Sequence, residues 1–215
     1  DAVEHVGLRS PGPLRVQLLG HGELSSLVSA TGVGVTLWKG LDVNRFREDP
    51  VLEAGGVYLY IKNRTQSRLW SAGYQPTRAE PSFYNVAFSI DRVEFHRRDG
   101  DVQTVTEVVL SPEHAVEVRR VTLNNQGELP LELEVTSYSE VVLAPRGADV
   151  GHRAFNDMFI ETEALPERFA LLARRRPRSP GEPEVWMAQV LLGESGNFGP
   201  LDYDCARRRF IGRGK

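Results

Sequence analysis

The stretch from residue 92 to residue 123 constrains the fold more than any other part of the chain. Val93, Phe95 and Arg97 alternate with Glu94, His96 and Arg98. That period of two sends successive side chains to opposite faces of a strand. Asp99-Gly100 follows, and such a pair between two alternating runs is a hairpin turn. Residues 102–110 return, Ser111-Pro112-Glu113 turns again, and residues 116–123 form a further strand, turned by 124–128. Residues 131–143 then read as one long alternating strand, with Leu131, Leu133 and Val135 opposite Glu132 and Glu134. The pattern is that of an antiparallel meander.

Residues 14–19, 24–30, 33–38, 57–61, 69–72 and 83–90 also read as strands. So do 155–162, 169–174 and 184–192. Pro/Gly-rich stretches at 144–150 and 175–183, and a flexible loop at 193–200, read as connections. No window holds a helical period. The expected fold is a large antiparallel β-sandwich with little helix.

With 215 residues, 40% hydrophobic and 26% charged, the composition is that of a globular chain long enough to bury a core. A net charge of −3 argues against a general nucleic-acid binder. The run Arg174-Arg175-Arg176-Pro177-Arg178 lies in a proline loop without interleaved aromatics, which argues against base stacking. Cys205 is the single cysteine, so no intrachain disulfide forms, and a structural role is expected for it. No apolar run reaches membrane-span length. The chain starts at Asp1 and reads as one sandwich domain over residues 1–215, excised from a larger multidomain protein.

Few residues carry recognisable chemistry. Gly193-Glu194-Ser195-Gly196 lacks the last glycine of a nucleophile elbow, because Asn197 stands there. Gly20-His21-Gly22 and Gly32-Val33-Gly34 lack the third glycine of a dinucleotide loop. His5, His21, His96, His114 and His152 have no metal-pair spacing. Neither a metal nor a cofactor is expected. Asn63-Arg64-Thr65 matches a glycosylation sequon, a frequent chance match.

The densest group is Trp38-Lys39 followed by Asn44-Arg45-Phe46-Arg47-Glu48-Asp49-Pro50. Guanidinium forks and aromatic rings suit sugars or phosphate. Glu48 and Asp49 are adjacent, so on extended backbone they face opposite ways and cannot flank one glycosidic bond. They are expected to form structural ion pairs with Arg45 or Arg47. Trp38, Trp70, Tyr74 and Trp186 are candidates for an aromatic sugar platform, although strand aromatics usually belong to the core. His152 stands out beside Arg153 and Phe155-Asn156-Asp157.

These residues carry a family resemblance that runs colinearly along nearly the whole chain. Trp38, Asn44 to Pro50, Leu69-Trp70-Ser71-Ala72-Gly73-Tyr74-Gln75-Pro76-Thr77 and Phe95-His96-Arg97-Arg98-Asp99-Gly100 resemble the β-sandwich domain of cyclic β-1,2-glucan synthases. Residues 116–123, Ser137-Tyr138-Ser139-Glu140-Val141-Val142-Leu143-Ala144-Pro145, residues 152–163, 174–183 and Arg209-Phe210-Ile211-Gly212-Arg213-Gly214 continue it. The family is the glycosyltransferase 36/glycoside hydrolase 94 group, related to cellobiose and chitobiose phosphorylases. Phe46 stands where the motif usually has Trp, and residues 31–38 depart from a glycine-rich pattern by lacking its Tyr and Arg.

The resemblance implies an all-β, galactose mutarotase-like antiparallel β-supersandwich, the first of two in such a synthase. It implies a non-catalytic carbohydrate-binding or scaffolding domain of an enzyme that polymerises glucose from UDP-glucose and controls β-1,2-glucan chain length. The expected partners are a β-glucan or other glucose oligosaccharide and other domains of the same chain, with homodimer formation as a further reading. Neither nucleic acid nor membrane contact is expected. The implied location is cytoplasmic, within a bacterial inner-membrane protein. Trp38, Arg45, Arg47, Tyr74, Gln75 and His152 are the expected sugar contacts. A docking module without a sugar site is one alternative. Another is a mutarotase-like epimerase, for which His96 and Glu107, on neighbouring strands of the hairpin, would have to converge.

Overall fold

A computed structural model describes residues 3–8, 13–47, 54–194, 199–206 and 209–210. The chain divides into two compact units, Asp1–Glu140 and Val141–Lys215.

In the first unit the strands are β1 (Glu4–Gly7), β2 (Val16–His21), β3 (Leu24–Ser29), β4 (Gly34–Trp38) and β5 (Leu41–Asn44). β6 (Phe46–Arg47), β7 (Ala54–Gly55), β8 (Val57–Asn63), β9 (Arg68–Ser71) and β10 (Phe83–Phe88) follow. β11 (Arg92–Asp99), β12 (Val102–Leu110), β13 (Glu117–Asn125) and β14 (Leu133–Ser139) complete the unit. One antiparallel sheet has the order β1-β10-β11-β12-β13. β5, β4, β3 and β2 lie side by side in a second sheet, and β14-β8-β9 form a third.

The β11–β12 hairpin is where sequence and structure agree most closely. Phe95 opposes Thr106, Val93 opposes Val108, and Asp99 opposes Val102. Gly100 takes φ 61° at the first turn position, which suits the twist of a two-residue hairpin and is open to glycine without steric cost. The inward set Val93, Phe95 and Val108 joins Val86 and Phe88 of β10, Leu19 of β2 and Val28 of β3 in one core. Beside it, Ile61, Trp70, Ala72 and Val102 form a second cluster, with Leu123, Leu131 and Leu133 packed on it. Apolar faces from three sheets are thus removed from water together, the dominant favourable term in folding.

The meander ends at β13. β14 does not lie beside it but pairs with β8, Leu133 opposite Asn63 and Ser139 opposite Val57. The long strand expected over 131–143 is also interrupted at Glu140, between β14 and β15 (Val141–Ala144). At this break the Glu140 carbonyl accepts the Arg45 amide at 2.7 Å, and its carboxylate accepts the Arg45 guanidinium.

The second unit opens with β15. Two short helices, α1 (Arg146–Gly151) and α2 (Arg153–Asp157), occupy ground expected to be loop and strand. Buried Asn156 reaches Asp149 from α2 to α1 at 3.4 Å, and Phe155 meets Phe159 edge-on at 5.1 Å between centroids. Both helices are too short to show a 3.6-residue period in sequence. β16 (Ile160–Leu165), a 3-10 turn (Pro166–Arg168), β17 (Ala170–Arg175) and β18 (Val185–Val190) follow, and the sheet order is β16-β17-β18.

Candidate functional site

The described part of the stretch that most resembles a site, residues 38–47, is held by contacts inside the domain. β4 and β5 form a hairpin with Trp38 opposite Leu41. Lys39 at φ 51° and Gly40 at φ 78° supply the two left-handed residues of a type I′ turn. Trp38 is half-buried, with Lys39 Nζ 4.9 Å from its ring centroid and paired to Glu23 at 3.1 Å. Buried Asn44 accepts the Thr36 amide at 2.8 Å and donates to the Gly34 carbonyl at 3.2 Å. Arg45 is buried, and its Nη1 lies 2.5 Å from Glu140 Oε2. Tyr138 donates to the other Glu140 oxygen at 3.0 Å. The Arg45 carbonyl accepts the Gly56 amide. Arg45 therefore turns its charge inward. The Arg47 side chain, Glu48 and Asp49 lie outside the described residues.

Tyr74 and Gln75 belong to a loop held from several sides. Arg97, 0% exposed, donates from Nε and Nη2 to the two oxygens of Asp99 at 2.6 and 2.8 Å. It also donates to the carbonyls of Gly73 at 2.8 Å and Ala79 at 2.7 Å. A bidentate fork plus two carbonyls is what a buried guanidinium needs if its lost hydration is to be replaced. Ser71 Oγ meets the Gly73 carbonyl and Thr77 Oγ1, and the Gln75 amide donates to the Thr31 carbonyl. Gln75 is buried, and Tyr74 packs on the β10–β11 core.

Gln75 lines a cavity of about 20 Å³ together with Gly32, Tyr58, Phe95, Thr106 and Arg119. That volume holds one water and no sugar ring. Beside Arg119 of the lining, Glu117 accepts Thr36 Oγ1 at 2.7 Å and Arg119 Nε at 2.6 Å. Burial by itself pushes the Glu117 carboxyl up, but the Arg119 charge and the hydrogen bonds from Thr36 and Arg119 outweigh it and hold it below its ordinary value.

His96 opposes Val105, and Glu107 opposes Glu94. Glu107 is bound by Arg92 at 2.8 Å and Arg120 at 3.4 Å and serves as their counter-ion. His152 is exposed between α1 and α2 in the second unit. Trp70 is 2% exposed and belongs to the core, whereas Trp186 is 53% exposed. Asn63 of the sequon is buried and accepts the Gln66 amide, so it is not presented to a glycosylating enzyme. Cys205 is exposed and does not fill a core position. Among the described residues, no group of three or more His, Cys, Asp or Glu is arranged to hold a metal ion.

Arg97 is the residue that sequence reasoning passed over. Its signal was an arginine in the apolar half of an alternation, with Asp99 two positions on and therefore on the same face.

Packed antiparallel sheets with internally paired charges define an all-β supersandwich. The chain belongs to the family described as "Glycosyl hydrolase 94, supersandwich domain", whose model matches residues 9–215. It is 35% identical over 198 residues to "Cyclic beta-(1,2)-glucan synthase NdvB" of Rhizobium meliloti (strain 1021), covering 92% of this chain and 7% of that protein. It is 22% identical over 162 residues to "Solabiose phosphorylase" of Paenibacillus borealis, covering 75% of this chain and 20% of that protein. The chain therefore spans a small part of each relative. Among the described residues, no helix is long and apolar enough to cross a membrane.

Proposed function

We propose that this chain is a non-catalytic carbohydrate-binding or scaffolding domain of a cyclic β-1,2-glucan synthase. The parent enzyme would transfer glucosyl units from UDP-glucose and set the glucan chain length, from the cytoplasmic side of a bacterial inner membrane. The domain's partners would be a β-glucan and the other domains of the same polypeptide, with self-association through the sandwich as a further one. The observation that carries this reading is the 35% identity to a cyclic β-(1,2)-glucan synthase over 92% of the chain. The non-catalytic half draws on the carboxylates. Asp99, Glu107, Glu117 and Glu140 each hold an arginine at 3.4 Å or less. Carboxylates held in this way direct their oxygens at arginines inside the domain, so their geometry is that of ion pairs rather than of groups aimed at a substrate.

Two measurements test this. Titrating the isotope-labelled chain with linear and cyclic β-1,2-glucan is expected to move a contiguous set of amide resonances. Unmoved resonances at about millimolar glucan, a concentration that detects affinities near −4 kcal/mol, would leave only scaffolding. In a synthase carrying this sequence, replacing the domain by a flexible linker is then expected to lower cyclic glucan yield. Unchanged yield and ring size would remove the scaffolding role as well.

A further inference from the structure

The outer face of the β16–β18 sheet carries an arrangement that the internal networks of the first unit do not have. Glu161, Arg174 and Trp186 lie in one cross-strand row. The Arg174 guanidinium sits 5.3 Å from the Trp186 ring centroid. Glu161 Oε2 accepts Arg174 Nε at 2.7 Å and lies 2.6 Å from Nη2. Glu184 accepts Nη1 at 3.0 Å. Arg176 Nε reaches the other Glu161 oxygen at 2.8 Å. The two guanidiniums are thus balanced by two carboxylates, and the patch is locally neutral.

Geometry leaves the indole available. β18 is an edge strand of its sheet, and Trp186, Ala188 and Val190 are all exposed on the same side of it. Same-face neighbours along a strand are about 7 Å apart. Ala188 beside Trp186 therefore leaves an exposed apolar lane along the edge. A guanidinium has five N–H donors, of which three face Glu161 and Glu184, leaving two for a ligand. The rim offers donors from Arg174 and Arg176 and acceptors from Glu161 and Glu184.

An aromatic face with donors and acceptors at its edge matches a polyhydroxylated ring: C–H groups against the indole, hydroxyls to the rim. Local neutrality disfavours the anionic alternatives, since a phosphate or an acidic peptide would meet guanidiniums already neutralised and would be repelled by the carboxylates. We infer that this face is a glucan-contact platform, with one glucosyl ring stacked on Trp186 and its hydroxyls held by Arg174, Glu161 and Glu184. The assignment rests on the carbohydrate-binding reading above and gives it a place.

The test is calorimetric titration of the 215-residue chain with linear β-1,2-gluco-oligosaccharide, together with acrylamide quenching of tryptophan emission. The wild-type chain is expected to bind and to lose quenching when saturated. Trp186→Ala is expected to weaken binding at least about tenfold, which is about 1.4 kcal/mol, with an unchanged circular dichroism spectrum. Trp186→Phe, which keeps a ring, is expected to retain most of the affinity and guards against a folding artefact. Wild-type binding that survives Trp186→Ala, or is lost equally in Trp186→Phe, overturns the platform while leaving carbohydrate binding elsewhere intact. Absence of wild-type binding at millimolar oligosaccharide overturns the carbohydrate-binding reading and the platform with it.

Discussion

Arg97→Met is the most informative single perturbation of the first unit. The guanidinium is wholly buried and its partner carboxylate is 1% exposed. Methionine removes the charge while keeping most of the side-chain length, so the cavity term stays small. What remains is the Asp99 carboxylate, buried without a counter-charge, and the carbonyls of Gly73 and Ala79, each without the donor it has in the native fold. Breaking a buried pair from one side costs about 3–5 kcal/mol, against a typical domain stability of about 5–15 kcal/mol. With a urea dependence of about 2–3 kcal/mol per molar, the midpoint should fall by roughly 1–2 M. Emission from Trp70, which lies 2% exposed in the neighbouring cluster, follows that unit. The mechanism is tested by adding Asp99→Asn. If an unpaired charge is the cause, Asp99→Asn destabilises the wild type but raises the midpoint of Arg97→Met, because a buried amide costs less to leave unpaired than a carboxylate. A loss under about 1 kcal/mol for Arg97→Met, or a second substitution that lowers both backgrounds equally, would refute the reasoning.

Three further expectations follow from the same networks. The Glu117 carboxyl lies below its ordinary value, so its stabilisation is fully present above the unfolded carboxylate pKa of about 4.3 and is lost as pH falls through the lower folded value. Urea midpoints measured from pH 6 to pH 3 should therefore drop more steeply for the wild type than for Glu117→Gln, and superimposed acid limbs would contradict this. Glu140→Gln removes the carboxylate that receives the buried Arg45 guanidinium and should cost about 3 kcal/mol; a urea midpoint within error of wild type would show the pair to be dispensable. Gly34→Ala would set its Cβ 2.1 Å from the Leu27 carbonyl oxygen, inside the β3–β4 ladder. A loss of about 3 kcal/mol with faster amide exchange in β3 and β4 is expected, and unchanged exchange would show that the backbone accommodates it.

The β11–β12 hairpin was legible because each level agreed: alternation, a glycine at the turn, and a return strand whose inward residues match, although the two turn residues are Gly100 and Asp101, Asp99 being paired with Val102. Alternation states which face a residue takes but not which strand it lies beside, so residues 131–139 could be recognised as a strand and still be given the wrong neighbour. Leu133 and Leu131 settle that choice by packing on Ile61 and Trp70, more than sixty positions away in sequence. The Lys39-Gly40 turn was missed because its first residue is lysine, which seldom adopts φ > 0. α1 and α2 were missed because six and five residues span less than two helical turns.

The two arginine–aromatic groups show why the candidate site was harder to read than the fold. Trp38 and Arg45 are close in sequence and looked like a sugar site, yet Arg45 is 7% exposed and turned onto Glu140, whose other oxygen takes the Tyr138 hydroxyl. Trp186 and Arg174 are twelve positions apart and meet through the register of β17 and β18. Arg174 is 38% exposed, and it keeps N–H groups that its carboxylates do not use. Both arginines have carboxylate partners, so pairing does not separate them; access to solvent does. A guanidinium that turns its donors into the protein fixes strands, whereas one held by two carboxylates beside an open indole is oriented and still able to donate. Sequence density shows neither property, because burial and cross-strand register come into being only when the sheets pack. On those two properties Arg45 serves the strands that it fixes, and the platform inferred above draws its support from the outer face of β16–β18.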